Sequence, residues 1–403
     1  MPANQELLNC TTGTVPAGPS CAVRVLLVAP YAPSGGGMGR IMEYLSQSVA
    51  DNPALVFEKL ESRGPGPASH APWYMLRAAW HILKAALSRQ PVIVHVNMAD
   101  GGSVFRKGAL LLLARALGLP AVLHLHAADI IGFHSRLWAP SRAVMGIIFR
   151  AASVCIVLGH PYREFLQARL AVPRRRIEIL RNGVPRPVLF RFPPPPSLFS
   201  FVFVGNLLAR KGLVDLLHAA ADPVLAGGNW RLVIAGGGDT SKLRRLAVTL
   251  GIHGRVTFTG WLNRADTTHM LAQAGALVLP SYQEALPLVL AEAASLGVPI
   301  ITTPVGAIAE LFRNDENALL VAPGDRRALA DAMYRLSTSP ETAKRIGRQG
   351  RALYEHDLTM DRFVSGLLSI YARHCQPAQT ATQSQPQSQT NAPAPGHPQV
   401  RPA

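Results

Sequence analysis

From residue 23 onward, short and almost wholly apolar runs alternate with longer amphipathic ones. VRVLLVAP (23–30) is too short for a helix and lacks the two-residue alternation of a half-exposed strand, so it reads as a strand buried on both faces. A glycine-rich turn and a helical pattern, GRIMEYLSQSVAD, follow it. The alternation recurs through PVIVHVN, AVLHLH, SVCIVLG and RIEILRNG. Strands separated by helices predict βαβ units and a parallel sheet.

PRPVLFRFPPPPSLF (185–199) interrupts the series. Four consecutive prolines fit neither a helix interior nor a central strand, so this segment reads as an extended linker. A second alternating series then begins with FSFVFVG, WRLVIAGGG, VTFTG, GALVLPS, PIITTP and NALLVAP, each followed by a helical stretch. The fold class is therefore α/β, with a first domain over 22–184, a second over 200–358 and a last helix over 359–375. Residues 1–21 read as a loose leader. Residues 376–403 hold seven Gln, six Pro and almost no large aliphatic side chain, so they are expected to stay disordered. Two α/β domains on one linker leave a cleft between them for a ligand.

Charge narrows the choice of ligand. The formal net charge is +16, carried mainly by arginine, which favours anionic partners such as phosphates or an acidic membrane surface. No zinc-finger, helix-turn-helix or RNA-binding pattern accompanies it, so nucleic acid is not expected. Cys10, Cys21, Cys155 and Cys375 lie far apart without a CxxC pair, which argues against a disulfide framework or a metal site and fits a reducing cytoplasm. Neither a secretory signal nor a membrane span is expected. The nearest stretch, GALLLLARALGLPAVLHLH, is broken by Arg115 and a Gly-Leu-Pro turn.

Candidate chemistry gathers at the strand ends. SGGGMGR (34–40) follows the first strand, and VGNLLARKG (204–212) places Arg210 and Lys211 where the first strand of the second domain ends. Open α/β sheets bind ligands at that rim, so the two cations could hold a diphosphate; a solvated surface pair is the plain alternative. AGGGD (235–239) ends the next strand. In SYQEALPLVLAEAASLGVPI (281–300), Pro287 suits a helix start, which puts Glu284 on the rim loop and Glu292 inside the helix. Carboxylates accept paired hydrogen bonds from vicinal sugar hydroxyls, and amides near Pro287 and Leu288 suit a phosphate. A helix-start carboxylate plus one buried, salt-bridged Glu is the structural alternative.

The ordered set RNGV, FVGNLLARKG, LVIAGGG, VTFTGW, the Glu284–Glu292 segment with PIITTPVG, and NALLVAPGD closely resembles the retaining GT-B glycosyltransferases of the large family four. The resemblance covers most of residues 23–375. It implies two Rossmann-like domains facing across a cleft, with the last helix crossing back to the first domain. It further implies transfer of a hexose from a nucleotide diphosphate sugar, with no cofactor and no metal. On this likeness Glu284 contacts the transferred sugar, Glu292 the ribose, and Arg210 with Lys211 the diphosphate. Gly37, Gly237, Trp261, Leu286, Pro287 and Leu288 join them around the donor. Asn206 stands where the family usually has arginine, so Arg210 substitutes or phosphate binding is weaker. His126 matches the family's cleft histidine, with His124 expected on the opposite face.

The acceptor is expected to be a sugar or a lipid-diphosphate-linked oligosaccharide. Gly36, Ser103, Arg106 and Lys107 are its candidate contacts, since similar stretches occur in enzymes building bacterial exopolysaccharide and lipopolysaccharide. WYMLRAAWHILKAALSR (73–89) is basic, amphipathic and tryptophan-bearing. It predicts either a helix packed on the first sheet or attachment to the inner face of a membrane. Two further readings are a nucleotide-sugar-binding protein without turnover and a Rossmann-type oxidoreductase. Against the latter, no acidic residue is expected in a second-strand context about twenty positions after the first glycine turn.

Overall fold

The computed structural model describes residues 23–30, 36–50, 55–64, 68–88, 90–187 and 198–375. The leader (1–21), the tail (376–403) and most of the proline linker lie outside the described residues.

The first domain runs β1 (Val23–Val28), α1 (Gly36–Ser48), β2 (Leu55–Leu60), α2 (Ala71–Ala86), β3 (Val92–Met98), α3 (Gly102–Ala116), β4 (Ala121–Leu125), α4 (Ile130–Arg136), α5 (Ala139–Ala151), β5 (Val154–Val157), α6 (His160–Leu170) and β6 (Ile177–Ile179). Its sheet is parallel, in the order β2-β1-β3-β4-β5-β6. The chain steps one way from β1 to β2 and the other way from β2 to β3. Right-handed crossovers therefore put α1 on one face and the following helices on the other. β3 and β4 are buried along their whole lengths, as their continuous apolar runs require.

The sequence pattern passes over β2. LVFEKL carries Glu58 and Lys59, which break the apolar run, and it lies at the sheet edge where charge is tolerated. Glu58 thus stands in the second strand about twenty positions after the glycine turn, which corrects the expectation that no acidic residue does. It pairs with Arg24 of β1, lies 2.5 Å from His81 Nδ1 of α2, and does not line the interdomain cleft.

The second domain runs β7 (Phe199–Val204), α7 (Leu213–Ala220), β8 (Trp230–Ala235), α8 (Ser241–Thr249), β9 (Val256–Gly260), α9 (Arg264–Ala272), β10 (Ala276–Leu279), α10 (Leu288–Ser295), β11 (Ile300–Thr302), α11 (Ile308–Leu311), β12 (Leu319–Leu320), α12 (Arg326–Thr338) and α13 (Pro340–Asp357). Its sheet is also parallel, ordered β12-β11-β10-β7-β8-β9, so the direction of winding reverses between β7 and β10.

The last helix, α14 (Met360–His374), returns to the first domain and packs against α1. Its start is stitched to the segment leaving that domain. Val184 N–H donates to Leu358 O (2.9 Å) and Met360 N–H to Val184 O (3.0 Å). A Cβ at Gly183 would stand 2.4 Å from Thr359 O, so the close approach admits only glycine. That accounts for the glycine of RNGV.

Candidate active site

The two points of reversed winding, β1/β3 and β7/β10, face each other, and the space between them is a cleft of about 840 Å³. Ligands of open α/β sheets bind at such points, beyond the carboxyl ends of the strands. Gly36 and Gly37 follow β1, Asp100 follows β3, Asn206 follows β7, and Glu284 to Leu288 follow β10; all line the cleft. A Cβ on Gly36 would lie 3.9 Å from Asn206 Nδ2, so the two rims nearly touch there.

On the second-domain side the pattern centres on Glu284. Its carboxylate is buried, paired with Lys211 Nζ, and accepts from Ser281 Oγ at 2.9 Å. Arg210 Nη1 lies 3.6 Å from the other carboxylate oxygen and donates to Gln283 O at 2.7 Å. The turn carrying the two cations and the loop carrying the carboxylate are thus locked together. Gly306 allows this loop its course: at φ +59, a Cβ there would be 2.0 Å from Glu284 O. Removing one partner of such a buried pair typically costs about 3–5 kcal/mol.

Glu292, five residues into α10, is engaged from the other domain. Arg40 Nη1 reaches its two oxygens at 3.2 and 3.3 Å, and Tyr44 Oη donates at 2.8 Å. Burial and the Glu292 charge push the Tyr44 phenol well up. Arg264 stacks over the Tyr44 ring at 4.6 Å and donates to Gln47 at 2.9 Å. Arg40, Tyr44 and Arg264 escape sequence reasoning because α1 and α9 meet only in the folded molecule. The one signal was Arg40, a helical turn after Gly36.

The first-domain wall presents His126, whose Nε2 lies 2.9 Å from Asn97 Oδ1. Its ring is 4.0 Å from that of His124, on the same side of the sheet. This corrects the expectation of opposite faces, since residues two apart along a strand share a face. His124 in turn lies 5.4 Å from His95, whose Nδ1 meets Tyr371 Oη of α14 at 2.6 Å. Burial, with repulsion from neighbouring cations, lowers His126 to about 3; burial lowers His95 to about 3 as well.

The acceptor candidates on α3 do not reach the cleft. Lys107 is buried and donates to Asn97 O at 2.5 Å, and burial beside Arg106 lowers it to about 7. Arg106 points to Ser62 (3.5 Å), and Ser103 accepts from Ala99 N–H (3.3 Å). The apolar face of α3 must meet the sheet, and its early cations turn inward with it. Gly237 is also displaced by one residue: Gly236 lines the cleft, while Gly237 O accepts from Leu207 N–H at 2.9 Å. Pro287 is the N-cap of α10 and lines the cleft with Leu286 and Leu288. Trp261 lines it too, and the residue is 56% exposed.

Residues 12–183 match the model of the glycosyl transferase 4-like domain, and residues 190–353 that of glycosyl transferases group 1. The chain is a GT-B glycosyltransferase. It is 24% identical to the alpha-D-kanosaminyltransferase of Streptomyces kanamyceticus, over 64% of this chain and 72% of that one. It is 32% identical to the Escherichia coli O-antigen chain mannosyltransferase C, over 42% of this chain and 46% of the relative. In three dimensions the glycosyltransferase superposes on Anabaena HepE, solved with UDP and glucose. That likeness has a TM-score of 0.68 at 16% identity and covers 87% and 99% of the two chains.

Proposed function

We propose that this glycosyltransferase moves a hexose from a nucleotide diphosphate sugar, with retention at the anomeric carbon, to a saccharide or lipid-diphosphate-linked acceptor of a bacterial surface polysaccharide. The observation that carries the reading is the convergence of Glu284, Lys211, Arg210 and the α10 N-terminus on one rim, with His126 lining the same cleft. As the bond from C1 to the diphosphate breaks, its electron pair moves to the phosphate oxygen. Lys211, Arg210 and the amides opening α10 stabilise that charge where it develops, without calling on a divalent ion. The acceptor oxygen bonds C1 from the same face and its proton passes to the departing phosphate. Glu284 holds the sugar hydroxyls and Glu292 the ribose. The mannosyltransferase and HepE support the donor and pathway through what their names state of them.

The surface of α2 supports a site of work at the cytoplasmic face of a membrane. Among the described residues no helix is long and apolar enough to cross one. Yet Trp73, Leu76, Trp80, Leu83 and Leu87 stand exposed along one stripe, with the exposed cations Arg77 and Lys84 between them and no acidic residue in the helix. An anionic bilayer surface fits that pattern.

Release of UDP or GDP from a panel of nucleotide sugars, with a lipid-extract acceptor and with EDTA present, tests the chemistry. Transfer from one donor is expected, and Glu284→Ala should lower it by about 100-fold or more while nucleotide binding persists. Release from no donor, or loss of nucleotide binding in that variant, would overturn the reading.

A further inference from the structure

β3 and β4 are buried throughout, yet they share a polar stripe. Residues two apart on a strand point the same way, which sets His95 and Asn97 of β3 beside His124 of β4 and His126 just past its end. Asn97 stands opposite His124 in the parallel register, and His126 N–H donates to Met98 O at 2.8 Å. This last rung brings the His126 ring to the Asn97 amide. Asn97 is fully buried and does not line the cleft, whereas His126 does.

An apolar side chain would fill the Asn97 position at lower cost. Its Nδ2 is buried without a partner, and such a group costs about 1–3 kcal/mol. What the amide does make is the 2.9 Å contact of Oδ1 with His126 Nε2. Its backbone is held too, since Lys107 Nζ donates to Asn97 O. An amide oxygen only accepts, so the proton of the His126 contact sits on Nε2. Burial first, and then repulsion from His95 and Lys107, keeps a second proton off the ring. Nδ1 therefore holds a lone pair. Among the described residues it has no protein partner and, unlike both nitrogens of His124, it is not sealed from solvent. The ring turns an acceptor, not an N–H, to the cleft.

We infer that Asn97 is a positioning residue: it fixes His126 in the Nε2–H form, and Nδ1 thereby accepts a hydrogen bond from a hydroxyl of the transferred sugar. This role rests on the donor chemistry proposed for the cleft. It makes His126 selective for the sugar's own chemistry. A hydroxyl donates to the lone pair, a deoxy carbon leaves it unpaired, and a carboxylate sets oxygen lone pairs against it. Sites built on such a contact reject an analogue lacking the group far more strongly than an apolar pocket rejects one methylene. With the opposite tautomer the same ring would donate, and would favour a carboxylate instead.

Long-range proton–nitrogen NMR of enzyme labelled at the histidine ring nitrogens reads the tautomer without any ligand, and His126→Gln assigns the signals. In the wild type, His126 Nε2 should carry the proton and Nδ1 should resonate as a bare, pyridine-like nitrogen. Asn97→Leu, close in size and without an acceptor, should mix the two forms. In steady-state transfer from the nucleotide sugar that wild type turns over, this variant should lower kcat/KM by about tenfold or more. Titrations with UDP and with GDP should show its nucleotide affinity unchanged. A proton on Nδ1 in the wild type would overturn the assignment, and that spectrum decides even if Asn97→Leu does not fold. An Asn97→Leu variant that keeps the wild-type tautomer, or the wild-type kcat/KM, would overturn it as well. Nucleotide affinity falling in step with kcat/KM would show a merely structural role and count equally against it. An Nε2–H form in a protein that releases nucleotide from no donor would instead sink the donor reading, so the two failures are told apart.

Discussion

His95, His124 and His126 form a column of rings from the cleft to the crossing helix, and burial holds all three neutral. His95 has a folded pKa of about 3 against an ordinary 6.5. Between those values the unfolded chain binds the proton and the folded chain does not, so stability falls as pH drops from 6.5 toward 3. For His95 alone the loss between pH 6.5 and 4.5 is at most about 2 kcal/mol. His95→Gln can still meet Tyr371 but does not titrate, so urea unfolding at the two pH values should show a shallower pH dependence by about that amount. An unchanged dependence would mean that His95 is not held neutral by its surroundings. The pair His124 and His126 is visible in HLH, but the groups that fix it are not. Asn97 comes from the neighbouring strand, and Tyr371 lies 276 residues from His95. The positions of Glu284 and Lys211 in the cleft were legible because each follows a strand end with a recognisable neighbourhood. The inward turn of Lys107 was not legible, because it depends on which face of α3 the sheet takes.

The elements were legible wherever period and composition agree. β1, β3 to β5, β7, β8, β10 and β11 are mainly apolar runs of strand length between turns, while β9 alternates, VTFTG. β2 escaped because an edge strand needs one buried face at most. The helix α2 carries two stripes: Ala78, Ile82 and Ala85 pack inward, while Trp73 and Trp80 are 67% and 63% exposed. Sequence pattern alone could not separate a helix packed on the sheet from one lying on lipid, and α2 has both a buried and an exposed apolar stripe. α3 packs against both α2 and α5, and α5 adds exposed Ile147 and, at its start, Trp138. An unpaired apolar surface of this kind marks an interaction site. Co-sedimentation with phosphatidylglycerol vesicles at low salt should therefore retain the wild type. Trp73→Glu with Trp80→Glu should reduce the bound fraction by about tenfold or more without altering transfer to a soluble acceptor. Equal binding by the double variant, or no binding by wild type, would remove the membrane from the proposal.

At the scale of the whole molecule, the two domains touch on both sides of the cleft. On one side Tyr162 Oη donates to Glu284 O at 3.0 Å and His160 N–H to Glu310. On the other, Arg40 and Tyr44 hold Glu292, the carboxylate proposed for the ribose. A nucleotide that uses Glu292 must exchange those bonds for its own hydroxyls, so donor entry and release of the α1 bridge are linked. Tyr44→Phe removes one bond of the bridge and leaves Arg40 and the rest of the cleft in place. One hydrogen bond to a charged group contributes about 1.5–3 kcal/mol, part of which the remaining Arg40 contact retains. The variant should bind nucleotide more tightly by about two- to tenfold, and its ligand-free radius of gyration by small-angle scattering should rise toward a more open form. Weaker nucleotide binding with an unchanged radius would show instead that the Tyr44 hydroxyl supports the bound state. The bridge would then belong to donor recognition and not to closure of the empty cleft.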